Sequence, residues 1–421
     1  IDGSKLNYTK AGIMVGIAYG GAQYVDIFSF VVHSSKGIQV ERHSYYIRIF
    51  DCETYNCLDN AGIYLKYKED TLDRKVNRYS ELYNCISHDN VKGIHGIKSA
   101  PGTLLMNCCV YNNTDANGIS AFDNSQVYHC LAYKNNHYGI EGDGKNIEIA
   151  FSRTHDNYIG INSTGVKKLI IENNVSENNY FGICIDFKTS NAQIQKNKIV
   201  KNKTGLEITG MSDNINISRN LFTNNTNQAI MVQENKNVPG TNTNININYN
   251  LLYDNSGAGV IVKCAKDLFL YNNTIFQNSV TVLDKTEAIT VINNIIGSIT
   301  GAYTGTNNLI NPDSKIFYCV DDKDFHLNPA WHIAIDAGLD VGLHADYDGT
   351  YVPNGKCPDI GALEHNGIFF DTLPQAPENL MAEIFNNSSC LISWTDNTSN
   401  ENGFELERST GSSNKFQLIK S

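Results

Sequence analysis

Residues 160–181 read GINSTGVKKLIIENNVSENNYF, and residues 182–204 read GICIDFKTSNAQIQKNKIVKNKT. Each stretch opens on Gly and an aliphatic residue, passes through an apolar alternation such as Leu169-Ile171, and carries one Asn (Asn174, Asn197) followed shortly by another (Asn179, Asn202). The same unit extends in both directions. Gly-aliphatic starts stand at Gly62-Ile63, Gly96-Ile97, Gly118-Ile119, Gly139-Ile140 and Gly205-Leu206, and in looser form at Ala229-Ile230 and Gly259-Val260, most of them 21 to 24 residues apart. Aligning the units gives a column of Cys85, Cys108, Cys130, Phe151, Asn174, Asn197, Asn220, Asn250, Asn273 and Asn294. A second column holds Asn90, Asn113, Asn136, Asn157, Asn179, Asn202, Asn225, Asn255 and Asn278. Between the columns run period-two apolar patterns, as at Ile147-Ile149-Phe151 and Ile215-Ile217. That period belongs to strands and not to helices.

A unit of this length, with short strands and no amphipathic run of helix length, is one coil of a parallel β-helix. Coils stacked roughly 4.8 Å apart bury their inward Ile, Val, Leu and Phe residues against the coils on either side. The leucine frame of leucine-rich repeats is absent. An inward Asn at a bend can donate to one carbonyl and accept from the next coil's N–H, so stacked Asn side chains form a ladder. Early coils place Cys where later ones place Asn. Cys packs as a small hydrophobe, so the column changes from apolar to hydrogen-bonded along the chain. Cys52, Cys85, Cys108 and Cys130 are therefore expected as stacked free thiols, and the absence of a paired CxxC motif argues against a zinc knuckle.

The 421 residues are 41% hydrophobic and 18% charged, with only 8 Pro, a scarcity that long hydrogen-bonded sheets require. A formal net charge of −11 argues against nucleic acid or an anionic membrane as partner. No apolar stretch reaches the length of a bilayer span. A secreted or cell-surface monomer that binds polysaccharide, acidic polymers included, is expected.

Residues 1–60 continue the solenoid towards the amino terminus, with an end cap expected before residue 1. The charged run Lys66 to Lys75 interrupts one coil, and a second insertion runs from about Glu234 to Thr243; such insertions build binding rims. Coils continue to about residue 300, and a closing segment follows over 301–370. Within it Asp324–Leu327, Ile335–Gly338 and Asp359–Ala362 resemble phrases that recur in the closing segments of bacterial right-handed parallel β-helix proteins. The resemblance covers about residues 20–365. It implies right-handed coiling, and it raises the expectation of a polysaccharide lyase because many such proteins look like polysaccharide-degrading enzymes. The chain has no compact cluster of four aspartates like that of the calcium-dependent pectate lyases of similar architecture. After a linker at 371–376, Pro377–Leu380, Leu391–Trp394 and Asn402–Arg408 resemble the first half of a fibronectin type III domain over 377–421, with Trp394, Phe404 and Leu406 inward. About half of such a sandwich is present.

With the starts aligned, the residues one and three places after the aliphatic residue point outward. One outward column reads Gln39, Tyr64, Lys98, Ser120, Glu141, Asn162, Cys184, Glu207, Met231; the other reads Glu41, Lys66, Ala100, Phe122, Asp143, Thr164, Asp186, Thr209, Gln233. Polar side chains on a solvated face are the ordinary expectation. Glu141 and Asp143 stand out, roughly 7 Å apart on one strand, with Lys98 two coils and roughly 10 Å away. Tyr64, Lys66, Phe122 and His95 would line a sugar-binding groove beside them, with His88 and His137 at nearby turns. The expected reaction is β-elimination on a uronate-containing polymer. Glu141, Asp143 and Asp186 would hold a Ca2+ ion against the uronate carboxylate, and Lys98 would take the C5 proton. The alternatives are a glycoside hydrolase using the paired carboxylates Glu141 and Asp143, and a carbohydrate-binding or adhesive surface protein without catalysis. The remaining histidines, and the Lys167-Lys168 pair, read as solvated surface.

Overall fold

The computed structural model describes residues 12–16, 21–58, 60–66, 79–91, 95–114, 116–365, 377–386, 389–397, 404, 406–409 and 417–420. The chain divides into two units, Ile1–His365 and Asn366–Ser421.

In the first unit every coil contributes to three parallel sheets. The first sheet carries the Gly-aliphatic starts, as in Ala61–Leu65, His95–Lys98, Ile119–Ala121 and Phe181–Asp186. The second begins at strands such as Gln23–Phe28 and Tyr45–Phe50, and the third at Val31–His33 and Glu53–Tyr55. Tyr138–Ala150 and Ile159–Glu172 run through the first sheet into the second without a break. Ile63 pairs with Ile97, and the column continues through Ile119, Ile140, Ile161, Ile183, Leu206, Ile230 and Val260. All of these are fully buried, and burying each side chain is worth roughly 1.5–3 kcal/mol. The glycine before each of them but Ile230, where Ala229 stands, has a packing cause. A Cβ on Gly182 would stand 2.5 Å from the carbonyl oxygen of Gly205 in the next coil.

The corners obey a two-residue rule. One residue takes positive φ, and the next turns its side chain into the stack. Asn173 (φ 54°) precedes Asn174, and Asn178 (φ 53°) precedes Asn179. Asn tolerates the left-handed region better than most residues. Asn174 Nδ2 donates to Asn197 Oδ1 at 3.0 Å, and the ladder continues through Asn220, Asn250, Asn273, Asn294 and Asn308. The second ladder runs Asn90, Asn113, Asn135, Asn157, Asn179, Asn202, Asn225, Asn255, Asn278. Two rungs differ from the sequence columns. Phe151 is itself the positive-φ residue and half exposed, so Ser152 takes the inward place and accepts from Cys130 N–H. Likewise Lys134 takes positive φ, which makes Asn135, not Asn136, the rung. Below Ser152 the column is Cys130, Cys108, Cys85 and Cys52, all buried free thiols.

The segment after the last coils folds against one of their corners. Asn272 Nδ2 donates to Asp359 O, Asn293 exchanges hydrogen bonds with Leu339, and Ala362 N–H donates to Thr274 Oγ1. Its carboxylates accept backbone N–H groups: Asp346 from Thr350 and Glu364, Glu364 from Asn354 and Asp359, and Asp359 from Asp336 and His365. Burial, reinforced by Asp359, pushes Glu364 up to about 7; burial likewise pushes Asp359 up to about 6. Unfolded carboxyls titrate near 4, so between about pH 4 and 7 the folded chain holds more protons than the unfolded one. Stability therefore falls as pH rises through that window. Thermal midpoints measured from pH 8 down to pH 6 should rise by a few degrees, and Glu364→Gln should flatten the slope. A midpoint that stays level or drops on that path would refute the assignment.

In the second unit, Glu378–Asn386 pairs antiparallel with Ser389–Thr395, and Leu406–Arg408 with Gln417–Lys420. Trp394 meets Phe404 edge to face at 5.3 Å.

Candidate functional site

The first sheet sets the outward row by its register alone. Tyr64 pairs with Lys98, Lys98 with Ser120, Ser120 with Glu141, Glu141 with Asn162, Asn162 with Cys184, and Cys184 with Glu207. In the second row Asp143 pairs with Thr164 and Thr164 with Asp186. Ala100 leaves that row and is buried in the core, because the strand ends at Lys98 and the chain bends through Pro101 and Gly102.

Lys98 Nζ lies 5.7 Å from the Tyr64 ring centre and 5.9 Å from that of Phe122, so two aromatic faces flank the ammonium. Glu141 Oε2 accepts from Asn117 Nδ2 at 2.6 Å and Ser120 Oγ at 3.3 Å, while Oε1 accepts from Thr164 Oγ1 at 3.4 Å. Ser120 Oγ also meets His95 Nδ1 at 3.3 Å. Asn117 Oδ1 accepts from Tyr138 N–H, which fixes the orientation of its amide, and from His137 Nδ1 at 2.8 Å.

A carboxylate can only accept, and this assigns the proton positions along the chain. The Ser120 hydroxyl donates to Glu141, so it accepts from His95 Nδ1–H and leaves the lone pair of His95 on Nε2. Burial first, then Asp143, pushes Glu141 up to about 6, against the pull of Ser120, Thr164 and Lys98. Burial, then the charges of Lys98 and His137, lowers His95 to about 4, so it is neutral at pH 7. Burial lowers His137 as well.

Of the residues expected here, the structure brings together Tyr64, His95, Lys98, Phe122, Glu141 and Asp143. Lys66 stands beside them with its ammonium on Glu41 Oε1 at 2.5 Å. The insertion following Lys66 lies outside the described residues. His88 belongs elsewhere, on the third sheet, where it stacks between Tyr55 and Tyr111 and pairs with Glu53 and Asp89. Its strand is a different face of the coil, which a count of residues from the nearest Gly start did not reveal. Asn117 was missed because strand alternation does not aim a side chain at a bend; its place directly before Gly118 was the one available signal.

Further along the same face a second cluster appears. Gln233 Nε2 donates to Glu207 Oε1 at 2.5 Å, Cys184 Sγ lies 3.6 Å from Glu207 Oε2, and Lys263 Nζ reaches Gln233 Oε1 at 3.3 Å. Asn235, in the second insertion, donates to both oxygens of Asp186. Burial raises both carboxyls above their ordinary values.

Two of the three carboxylates expected to hold Ca2+ already carry hydrogen-bond partners. Asp186 spends its oxygens on Asn235 and the Phe187 N–H, and Glu141 spends its own on Asn117, Ser120 and Thr164. Among the described residues no three His, Cys, Asp or Glu side chains gather as a metal-holding group.

Residues 148–296 match the family described as "Right handed beta helix region", which gives the hand of the coils. The chain is similar in fold to the A-module of the Azotobacter vinelandii mannuronan C-5 epimerase AlgE4, with 14% identity over 63% of this chain and 86% of that one and a TM-score of 0.49. It is also similar to pectate lyase Pel9A (13% identity, 78% and 89% coverage, TM-score 0.43). A third solved relative is the pre-mature gene product 12 of bacteriophage phi29 (15% identity, 69% and 45% coverage, TM-score 0.48). No curated protein matches the chain. No helix among the described residues is long and apolar enough to cross a membrane.

Proposed function

We propose that the protein is a secreted or cell-surface polysaccharide lyase that cleaves a uronate-containing polymer by β-elimination at the His95–Lys98–Glu141 cluster. The observation that carries this reading is the chain His95 Nδ1, Ser120 Oγ, Glu141 Oε2, in which a neutral imidazole with its proton on Nδ1 keeps a basic Nε2, close enough to Lys98 to feel its charge. Lys98 pairs with the C6 carboxylate of the uronate and draws charge from C5. His95 Nε2 takes the C5 proton, the C5–H electrons form the C4–C5 double bond, and the C4–O4 bond breaks. The proton held by His95 passes to the leaving O4, so no outside reagent is consumed. Burial is the first cause of the low value of His95; a carboxylate on Lys98 cancels the second, the lysine's charge, and so raises the basicity of His95 on binding.

The test is incubation with polymannuronate, polyguluronate, polygalacturonate and polyglucuronate, read as absorbance of the unsaturated product. The expected result is product from one of them, unchanged by chelator, with a rate that falls below about pH 6 as Glu141 protonates and the Ser120 relay loses its acceptor. If Lys98 is the base instead, His95→Ala retains activity and Lys98→Ala loses it. Binding with no new chain ends would favour the adhesive reading.

One observation favours a hydrolase as the second reading. Asp186 and Glu207, both raised by burial, stand on adjacent coils with Cα positions roughly 8 Å apart by strand rise and coil spacing. Side chains of that reach can set two carboxyl groups on either side of a glycosidic bond, and reducing ends without unsaturation would identify a hydrolase. Residues 377–421 we read as the opening half of a fibronectin type III sandwich, supported by the two hairpins and the Trp394–Phe404 contact.

A further inference from the structure

The second sheet carries a groove that the lyase reading does not use. Six side chains line a cavity of about 270 Å3: Tyr24, Tyr46 and Tyr79 on one side, and Asp26, Arg48 and Glu81 beside them. The three tyrosine rings stack along the solenoid with centres 5.0 and 5.4 Å apart and planes within 13° of parallel. They are 75%, 43% and 59% exposed. The stacked rings of the third sheet, His33, Tyr55, His88, Tyr111, Tyr133 and His155, are only partly exposed by comparison.

The backbone marks the same three residues. Tyr24, Tyr46 and Tyr79 have φ of 56°, 56° and 55°. They occupy the corner that later coils give to Gly102, Lys168, Asp267, Ala288 and, in five coils, Asn, all at positive φ. Asn suits that conformation, and its amides bond from coil to coil there, Asn146 to Asn124 and Asn214 to Asn191. A bulky ring at positive φ is disfavoured, by roughly 1–2 kcal/mol per residue. Rings take the same conformation at other corners, as at Phe151 and Phe187, so what sets this corner apart is the run of three exposed rings in successive coils.

The groove's chemistry selects its occupant. Arg48 is forked by Asp26, Nε to Oδ1 at 2.8 Å and Nη2 to Oδ2 at 2.6 Å, so the positive charge is already matched. With Glu81 the floor sums to one negative charge, which repels uronates and phosphates. Because the rings stack face to face, the π faces between them cover one another and are closed to a quaternary cation, and their edges are what the row offers. Carboxylates, guanidinium N–H groups and phenol hydroxyls in a row suit a ligand whose groups both donate and accept, and ring edges suit its C–H faces. The cavity lies near the lower limit of small-molecule pockets, roughly 300 Å3. We propose that this groove binds a neutral oligosaccharide, one sugar in the cavity and its neighbours along the tyrosine row, independently of the first-sheet site.

Isothermal titration of the intact chain with neutral hexamers of glucose, mannose, galactose and xylose, beside a hexauronate and a glucosamine hexamer, tests this. At least one neutral hexamer should bind with micromolar to millimolar affinity, and Arg48→Ala should weaken it at least tenfold. Tyr46→Asn should do the same while leaving the thermal midpoint equal or higher, since Asn is the residue that corner ordinarily carries. His95→Ala should leave this binding untouched, which separates the groove from the lyase site. The proposal is overturned if no neutral hexamer binds at millimolar concentration, if either charged hexamer binds more tightly, or if both groove variants bind as wild type does.

Discussion

His95→Ala should lower the rate of β-elimination by about 10²–10⁴-fold, the range over which positioned general bases act. The loss should fall on kcat, because His95 touches the proton in flight while Lys98 grips the carboxylate. Lys98→Ala should therefore raise KM as well as lower kcat. Glu141→Gln is the sharper probe. An amide of the same shape can still accept from Asn117 or Ser120, but it carries no charge to stabilise the imidazolium that forms on His95. Its activity should drop by about 10²-fold or more, as when one preorganised electrostatic partner is removed, and the acid limb near pH 6 should vanish with it. Kinetics with the same limb in Glu141→Gln would show that another group sets the profile.

Asn197→Ala should be among the most damaging single changes to the solenoid. Asn197 Nδ2 donates to Asn220 Oδ1, Ile171 O and Gln195 O, and its Oδ1 accepts from both the N–H and the side chain of Asn174. The residue is 2% exposed, so water cannot replace these partners. Leaving buried polar groups unsatisfied costs roughly 1–3 kcal/mol each, which puts the loss at several kcal/mol. Urea unfolding followed by circular dichroism should show the midpoint falling, together with a loss of cooperativity, as coils on either side of the break melt separately. The preceding residue makes the contrast: Lys196 holds the positive-φ place at this corner, and Lys196→Asn should be neutral or mildly stabilising.

The Gly-aliphatic spacing was enough to place Lys98, Ser120 and Glu141 in one row, because parallel coils convert a sequence interval into a contact. It was not enough at the corners. Asn135 and Asn136 look alike as letters, and only the positive φ of Lys134 decides which one faces inward. Phe151 likewise fits an apolar alternation yet turns outward for the same reason. The site was legible where strands carry it and obscure where bends do. Asn117 and His137 hold Glu141 and each other from a bend, through contacts that no periodicity encodes. Glu207 was visible in the outward row, but its burial depends on Gln233 and Cys184 from flanking coils. The tyrosine groove passed unnoticed because it lies on a different sheet and its residues take the corner positions.

The coils beyond Asn174 are tied to one another by amide rungs at two corners, while those before it replace the rungs of one corner with Ser152 and then the thiols of Cys130, Cys108, Cys85 and Cys52. The fastening is thus lopsided along the axis, and amide protons should exchange soonest towards the amino-terminal half, where His95, Lys98 and Glu141 reside.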